Sequence, residues 1–510
     1  MTPLVEFRCN RLVLVAILGA VACLKCEGSP NPDAGTDIQF FTASELMDPA
    51  RCAECHPTQY AEWQGSMHAY AADDPVFTAL NQRGQREAKL GPLCVTCHAP
   101  MALRLGLTTD GSNLSDVPQM YKGVTCYFCH AVADVRGTHD NPLVLAQDGV
   151  MRGQFKDPAF NPAHRSGYSA WLDRDQWSSS TLCGSCHDIK TGAGTIERVY
   201  EEWQSSVFSQ SPGGATCSQC HMEQSMELQP GAKFPGSPLR RLHNHGYPAV
   251  DVALTEGFPG IEDQRKQIQS LLDATLQSAL CVRGQGAATS IQVVLDNVAS
   301  GHAWPSGAAL VRRSWVEVIA YSAGSVMYQS GAVSAGSPIA NASDPDLWLM
   351  RDCMLDDQNE PVFPWFASHF ESTVLPFQVT FDRNDPKFYA SHVLRSFPRL
   401  ASAASVAAAD ASAPVYLNQA PDRVTLRIRV ESMGLDFIDA LVQSGDLDPA
   451  YRAKIPVFTL GGDPALEWTP GAANEIFIDE FGQPMSCISK TNLRAQAAKV
   501  LAPEPPHCQP

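Results

Sequence analysis

Five short stretches of this sequence place two cysteines three residues apart, with a histidine directly after the second. They read CAECH at 52–56, CVTCH at 94–98, CYFCH at 126–130, CGSCH at 183–187 and CSQCH at 217–221. On a helical turn, positions i, i+3 and i+4 share one face. Two thiols on that face can form thioether bonds to one haem, and the histidine can then bind its iron. The pattern predicts five covalently attached haem c groups.

Chance and zinc binding are the alternatives to haem. With 17 Cys and 14 His in 510 residues, about 0.02 such motifs are expected at random. Cys and His also ligate zinc, but zinc sites do not need the C-x-x-C-H order five times over. The predicted thioether residues are Cys52, Cys55, Cys94, Cys97, Cys126, Cys129, Cys183, Cys186, Cys217 and Cys220. The predicted proximal iron ligands are His56, His98, His130, His187 and His221.

The second axial position of each iron separates a carrier from an enzyme. An electron carrier needs two strong axial ligands, whereas a catalytic haem leaves one face open. The distal candidates within the haem-bearing half are His68, His139, His164, and one of His243 and His245. His302, in GHAWPSG (301–307), is a further candidate that would clamp the next domain onto a haem. Met67, Met101 and Met222 lie near motifs, but methionine packs more often than it ligates.

These residues must be positioned by short elements, because 170 residues carry all five motifs (52–221). Residues 45–260 are predicted to form a mainly α, loop-rich multihaem cytochrome c domain. YAEWQGSMHAYA (60–71) follows the first motif and YEEWQSSVFSQ (200–210) follows the fourth. The shared Y-x-E-W-Q-x-S favours a duplicated haem-plus-helix unit. Two unrelated amphipathic helices of similar composition are the alternative.

In the second half of the sequence, apolar residues recur at every second position. Residues 261–284 read as a connecting helix. SIQVVLDNV, RRSWVEVIAY, STVLPFQVTF and DRVTLRIRVES then alternate apolar and polar residues, which predicts a β-sandwich-like domain over 285–485 and a tail over 486–510. The low-complexity insert ASAASVAAADASAP (401–414) is assigned no chemistry.

Four cysteines of the second half lie outside the motifs: Cys281, Cys353, Cys487 and Cys508. Their even number in an exported chain predicts two disulfides. Three connectivities are open, and in one of them Cys487–Cys508 forms a local clasp on the tail.

The N-terminus predicts export. Arg8 and Arg11 precede LVLVAILGAVACL (12–24), which is too short for a comfortable membrane span and suits a signal peptide over 1–23. Cys23 would become lipid-modified, or ordinary cleavage would occur near Ala22. Residues 24–44 form a polar linker. The protein is expected in the periplasm or at the outer membrane.

The net charge of the chain argues against one class of partner. A net charge of −17 argues against nucleic acid, whose phosphates would be repelled. The expected partners are redox proteins, a quinol oxidase-type donor or other cytochromes.

Several stretches carry a family resemblance: CAECHPTQYAEWQGSMHA, GVTCYFCHAV, LCGSCHDI and ATCSQCHMEQ. Through them the chain resembles exported multihaem cytochromes, the group of the nitrifier tetrahaem cytochrome c and pentahaem nitrite reductase. NVASGHAWPSG and RRSWVEVIAYSAGSVMYQSG resemble a β-domain appended to some of them. The resemblance implies that the histidine of S-x-H-A, here His68, is a distal ligand. It also marks a departure, because the nitrite reductases use C-x-x-C-K at the active haem and all five motifs here end in histidine.

Three functions follow. The leading prediction is an electron-transfer protein rather than an enzyme, with closely spaced bis-histidine haems. The alternative is an oxidoreductase acting on a small nitrogen or sulfur species at one open haem, with Arg312 and Arg313 as cationic groups or as structural ion pairs. A third reading makes the β-domain a docking module.

Overall fold

The computed structural model describes residues 40–192, 194–284, 286, 289–398, 417–472, 475–478, 484–489, 499–500 and 508. The predicted signal peptide with Cys23, the insert at 401–414 and His507 lie outside these residues. Within the part described, no helix is long and apolar enough to cross a membrane.

Short helices dominate the first half of the chain, which carries the five motifs and is called the haem-bearing half below. They are α1 (Ala43–Met47), α2 (Pro49–Cys52), α3 (Pro57–Gln64), α4 (Met67–Tyr70), α5 (Pro75–Ala88), α6 (Val95–His98), α7 (Pro100–Arg104), α8 (Cys126–His130), α9 (Ser178–His187), α10 (Val199–Ser205) and α11 (Cys217–His221). Side-chain caps begin several of them. Asp74 accepts from the N–H of Val76, and Thr125 accepts from the N–H of Phe128. Each cap satisfies a backbone donor that a helix start leaves without a partner.

Four two-stranded ribbons lie between these helices, so the first half is more mixed than the mainly α prediction. Their strands are β1 (Val132–Val135), β2 (Leu143–Leu145), β3 (Val150–Gly153), β4 (Arg165–Tyr168), β5 (Asp188–Thr191), β6 (Gly194–Arg198), β7 (Gln229–Pro230) and β8 (Leu239–Arg240). Only the β3–β4 pair is parallel among the four. These ribbons are too short for period-two alternation to reveal them.

The second half is rich in strands. After α12 (Ile261–Thr275) come β9 (Leu276–Arg283), β10 (Ser290–Asn297), β11 (Arg313–Ser322), β12 (Ser325–Ser330), β13 (Trp348–Met350), β14 (Asp352–Leu355), β15 (His369–Ser372), β16 (His392–Phe397), β17 (Arg423–Glu431), α13 (Leu435–Gln443), β18 (Val457–Thr459), β19 (Leu466–Trp468), β20 (Glu475–Ile478), β21 (Pro484–Ser489) and β22 (Lys499–Val500).

Two six-stranded sheets form its core. One has the order β20-β21-β9-β10-β16-β22, and the other has β12-β11-β17-β18 with β13 and β19 attached. Val293 and Leu295 of the first sheet share a buried apolar cluster with Val316 and Val318 of the second. Burying these alternate positions between the sheets stabilises the pair, as in a sandwich.

Two predicted elements differ from the structure. The helix predicted over 261–284 ends at Thr275, and residues 276–283 pair as β9 with β10 along their whole length. STVLPFQVTF is a strand only at its first residue, Ser372. Pro376 has no N–H to donate to a sheet, and Leu375 meets Trp304 in an isolated bridge instead.

Two disulfides are present among the described cysteines. Cys281 and Cys487 face each other on β9 and β21, and Cys353 joins Cys508. The predicted alternative in which Cys487 pairs with Cys508 is therefore wrong. The bridges span 206 and 155 residues, and sequence spacing cannot reveal pairings that distant.

Polar contacts join the haem-bearing half to the second half. Arg312 donates to both carboxylate oxygens of Asp251, each at 2.9 Å. Arg198 donates to Asp352 at 2.7 and 3.1 Å. These are fork-shaped, charge-assisted pairs, which fix orientation as well as contributing energy.

Candidate haem-binding sites

Each motif adopts a helical turn that brings its cysteines and histidine to one face. The last three motifs lie within α8, α9 and α11. In the first two, the N–H of the histidine donates to the carbonyl of the first cysteine, His56 to Cys52 at 2.7 Å and His98 to Cys94 at 3.1 Å. This is the i to i−4 bond of an α-helix. The ten motif cysteines are free thiols, as attachment to haem requires.

Three proximal histidines are tethered through the same ring nitrogen. Nδ1 lies 3.0 Å from the carbonyl oxygen of Ala71 in His98, 2.5 Å from that of Arg152 in His130, and 2.8 Å from that of Pro248 in His221. A carbonyl only accepts, so Nδ1 carries the proton and Nε2 keeps its lone pair. Metal-binding histidines are oriented by such second contacts.

Two pairs of histidine rings stand at the separation that a shared metal requires. A metal–imidazole bond is about 2.0–2.1 Å, taking the value for zinc. The centre of a five-membered ring with sides near 1.35 Å lies about 1.15 Å from each ring atom. Two rings on one metal therefore have centroids about 6.3–6.5 Å apart. His56 and His164 are 6.4 Å apart, and His68 and His187 are 6.3 Å apart.

His245 and His302 approach two other proximal histidines. Burial is the main cause that lowers the pKa of His130 to about 4, and His245 is the histidine that contributes most to it. Burial likewise lowers the pKa of His302 to about 4, with His221 as the first contributing histidine. Both distal candidates hold Nδ1 at 2.9 Å from a carbonyl, of His243 and Ala303 respectively.

Burial keeps these imidazoles neutral. It lowers the pKa of His68 to about 3 and that of His187 to about 4. A neutral ring offers the lone pair that a metal needs, so no proton has to be displaced at neutral pH.

The other candidates have different neighbours among the described residues. His243 places Nε2 at 3.3 Å from the side-chain amide of Gln224, which leaves His245 as the candidate of this pair. The His139 side chain is 39% exposed and lies 3.9 Å from Asp140. Met101 is buried in an apolar cluster with Phe128. The Met67 sulfur contacts Gln264.

The second motif differs from the others. The His98 ring stacks on Phe77, with centroids 4.0 Å apart and planes 5° apart. Among the described residues, histidine ring pairs at 6.3–6.4 Å involve His56 and His187, but not His98, His130 or His221.

Three comparisons place the chain among known proteins. Residues 51–131 match the family described as cytochrome c554 and c-prime. The cytochrome c-type protein NrfH of Wolinella succinogenes is 25% identical over 170 residues, covering 30% of this chain and 76% of that protein. The penta-heme cytochrome c552 from Thermochromatium tepidum aligns with a TM-score of 0.55 and 17% identity, over 84% of this chain and 98% of that one. At that identity the structural likeness shows the fold.

The chain is a multihaem c-type cytochrome. Free cysteine pairs, neutral histidines and ring separations that fit one metal agree with covalently bound haem c. The general function is electron transfer or oxidoreduction.

Cysteines of different motifs of this cytochrome are neighbours in the fold. The pKa of one thiol is shifted by its neighbour in three pairs: Cys52 with Cys126, Cys97 with Cys186 and Cys183 with Cys217. These contacts connect the first motif to the third, the second to the fourth, and the fourth to the fifth.

One further thiol contact completes the connection. Cys129 of the third motif interacts electrostatically with Cys183 and Cys186 of the fourth. The fourth motif therefore neighbours the second, third and fifth, and the first joins this group through the third.

The duplicated sequence unit has a repeated contact. The indole N–H of Trp63 donates to the Val124 carbonyl at 2.8 Å, and that of Trp203 donates to the Ala215 carbonyl at 2.9 Å. Each accepting residue lies two positions before a motif, the third and the fifth respectively. The likeness of the two helices is therefore more than shared composition.

The two copies differ at the fifth position after the tryptophan. The N–H of Val124 donates to the carbonyl of His68, and the N–H of Ala215 donates to that of Phe208, both at 2.9 Å. The first copy thus has a histidine at this position and the second has a phenylalanine. Sequence reasoning noted the repeat but did not assign the tryptophans a role. No spacing signal was available, because Trp63 lies 61 residues before its acceptor and Trp203 only 12.

The arginines proposed as catalytic groups are engaged elsewhere. Arg312 pairs with Asp251, and Arg313 pairs with Asp436 at 2.5 Å. Both arginines are buried, at 7% and 4% exposed. Their contacts support the structural reading.

Proposed function

We propose that the chain is an exported pentahaem cytochrome that transfers electrons through closely spaced bis-histidine haems. The observation that carries the proposal is the separation of 6.4 Å for His56–His164 and 6.3 Å for His68–His187. His130 with His245 and His221 with His302 are the next two proposed pairs. Residues 45–260 would form the haem domain and residues 285–485 a β-sandwich-like domain.

Bound haem supplies reversible one-electron chemistry at each motif. The chain would hold each group by two cysteines. Carbonyl contacts on Nδ1 orient five of the proposed ligands: His98, His130, His221, His245 and His302. Two neutral imidazoles on each iron would favour negative potentials, because neither raises the potential as methionine does. The thiol contacts support a branched arrangement in which the fourth site neighbours three others.

The β-sandwich-like domain is proposed to complete one site. His302 lies between Ser300 and Ala303, in a turn that also contacts the haem-bearing half. Glu202 of α10 accepts from the N–H of Ala303 at 3.1 Å and from the Ser306 hydroxyl at 2.6 Å. These bonds hold the turn in place, and with it the distal imidazole of the fifth site.

The first experiment is an EPR spectrum of the oxidised protein with haem counted in the same sample. Five haems with at least four low-spin signals are expected, because a second histidine is proposed for four of the sites. Fewer than four low-spin signals would contradict the proposed pairs.

A second candidate function rests on the second motif. Phe77 stacks on His98, and none of the described histidines is proposed as its partner, which favours an open haem and an oxidoreductase acting on a small nitrogen or sulfur species. One high-spin haem in five, together with carbon monoxide binding to about one reduced haem in five, would favour this function. Five low-spin haems would favour the carrier.

Partners and location remain proposals of the same kind. The similarity to a cytochrome c-type protein and the acidic charge support a redox protein as partner, either a quinol-oxidising donor or another cytochrome. Lipidation at Cys23 would attach the chain to a membrane. Loss of membrane association in a Cys23→Ser variant would support it, and unchanged fractionation would exclude it.

A further inference from the structure

One short segment, residues 243–248 (HNHGYP), touches groups at three neighbouring haem sites. His245 is the distal ligand proposed above for His130 of the third motif. The ring of Tyr247 lies 4.4 Å from the ring of His68, which faces the fourth motif. The carbonyl of Pro248 accepts from Nδ1 of His221 in the fifth motif at 2.8 Å. Six consecutive residues therefore line the third, fourth and fifth sites.

Tyr247 lies between two distal histidines. Its ring is tilted by 53° against His68, and it meets the ring of His245 edge-on at 6.0 Å and 82°. Aromatic pairs prefer such tilted and edge-on arrangements, and their centroid separations of 4.5–7 Å are about those seen here. The tyrosine thus restricts the rotation of both imidazoles about their metal-binding axes.

The backbone around Tyr247 is held in an uncommon conformation. Its φ is +48°, in the left-handed region that a bulky residue rarely adopts. Gly246 before it donates its N–H to Asn244 at 2.5 Å, and the N–H of His245 donates to Glu62 at 3.0 Å. Such conformations cost on the order of 1–3 kcal/mol and persist only where surrounding contacts impose them. Here the contacts direct the ring of Tyr247 against the two histidines.

We propose that Tyr247 is a positioning residue that sets the orientation of the axial imidazoles of His68 and His245, so that two neighbouring haems share one orienting side chain. The inference rests on the proposed function, since it assumes that both histidines bind iron. It goes beyond that function in assigning their orientation to one residue that binds neither haem iron nor substrate. The shared ring couples the two sites, because a change in its packing acts on both ligands at once.

The test compares EPR spectra of wild type, Tyr247→Ala and Tyr247→Phe, each with its haem counted. The g-values of a low-spin bis-histidine haem depend on the angle between its two ligand planes. In the alanine variant, two of the low-spin signals are expected to shift while the haem count stays at the wild-type value. The phenylalanine variant keeps the ring and is expected to retain the wild-type spectrum. Tyr247→Leu replaces the alanine variant if that variant attaches fewer haems.

Phe77→Ala provides a matched comparison, because Phe77 stacks on His98 of the second motif. It should alter the signal of one haem only, and a different one. Wild-type spectra for both Tyr247→Ala and Tyr247→Leu would overturn the inference.

His68→Ala separates this failure from failure of the proposed function. If His68→Ala produces a high-spin haem and the Tyr247 variants are unchanged, only the positioning role is wrong. If His68→Ala changes nothing, the proposed ligation itself fails.

Discussion

At the scale of single residues, the haem sites are defined by histidines whose two nitrogens are used differently. His98, His130, His221, His245 and His302 each place Nδ1 on a main-chain carbonyl. This leaves Nε2 for a metal. His243 uses its Nε2 in a side-chain contact, and the contrast separates a ligand candidate from a neighbour two positions away.

A His164→Ala variant tests the pair with the cleanest geometry. Removing His164 leaves His56 without a facing ring, so about one haem in five should change from low-spin to high-spin. EPR and the visible spectrum of the oxidised protein would show it. His369→Ala, on β15, provides the control and should leave the spectrum as it is. An unchanged spectrum in both variants would exclude His164 as a ligand.

Glu431 on β17 gives a prediction on pH. It is 3% exposed, and burial is the main cause that raises its pKa from 4.5 to about 7. A carboxyl that holds its proton more tightly when folded stabilises the fold fully below about pH 4.5, and this contribution is lost as the pH rises through about 7.

Glu431→Gln cannot ionise, so it should gain stability relative to wild type between pH 5 and pH 8. The gain is at most about 3 kcal/mol. Urea unfolding at both pH values measures it, with the exposed Glu467→Gln as control. The same difference from wild type at both pH values would contradict the raised pKa.

At the residue scale, only part of each candidate haem site could be predicted from the sequence. The motif cysteines and proximal histidines follow from local spacing, because one helical turn determines their relation. The ring separations support His68 and His164 as distal candidates, and His139 has no such ring contact among the described residues. A distal ligand meets its partner through tertiary structure, so a sequence can supply only the set from which it is drawn.

At the scale of elements, the molecule repeats a helix whose tryptophan contacts the residue two positions before a later motif. Trp63 on α3 and Trp203 on α10 each donate to a carbonyl two residues before a C-x-x-C-H turn. The helices themselves were predictable from Y-x-E-W-Q-x-S. The partner carbonyls were not, because they lie 61 and 12 residues away. The β9 strand was missed since its apolar residues also fit a helix.

Arg312 lies directly before β11 and connects the haem-bearing half to the strand-rich second half. It donates to both oxygens of Asp251 and to the carbonyls of Ser306 and Ser432. We expect Arg312→Ala to lower the free energy of unfolding by about 3–5 kcal/mol, because it leaves buried acceptors without a donor.

Reduction of the Arg312→Ala variant by dithionite should remain complete, since Arg312 contacts none of the proposed ligands. Chemical unfolding and a reduced spectrum measure the two effects. Lys266→Ala, which removes an exposed charge, should be nearly neutral. If the variant lost turnover of a small nitrogen or sulfur substrate while its stability stayed unchanged, the result would instead support a catalytic arginine.

At the scale of the whole molecule, the two relevant features are the net charge and the disulfides that join distant parts of the chain. The net charge is −17, and the two disulfides close segments of 206 and 155 residues. The number of disulfides was predictable from an even cysteine count. Their pairing was not, because it depends on which strands the sheets bring together.

The acidic charge predicts how small oxidants reach the reduced haems. The cation hexaammineruthenium(III) should oxidise the reduced protein more slowly as salt rises, because the screening length falls from about 30 Å at 0.01 M to about 10 Å at 0.1 M. An anionic oxidant such as ferricyanide should show the opposite trend. Stopped-flow oxidation at several ionic strengths measures both. Equal salt dependence for the two would place the entry point away from the acidic surface.

The neighbouring cysteines of different motifs have a consequence for how the protein is made. Cys52 neighbours Cys126, Cys97 neighbours Cys186, and Cys183 neighbours Cys217. In an oxidising compartment, unmodified thiols at these positions would cross-link into non-native bridges. We therefore expect thioether formation to precede folding, because it removes these thiols before one motif meets the next.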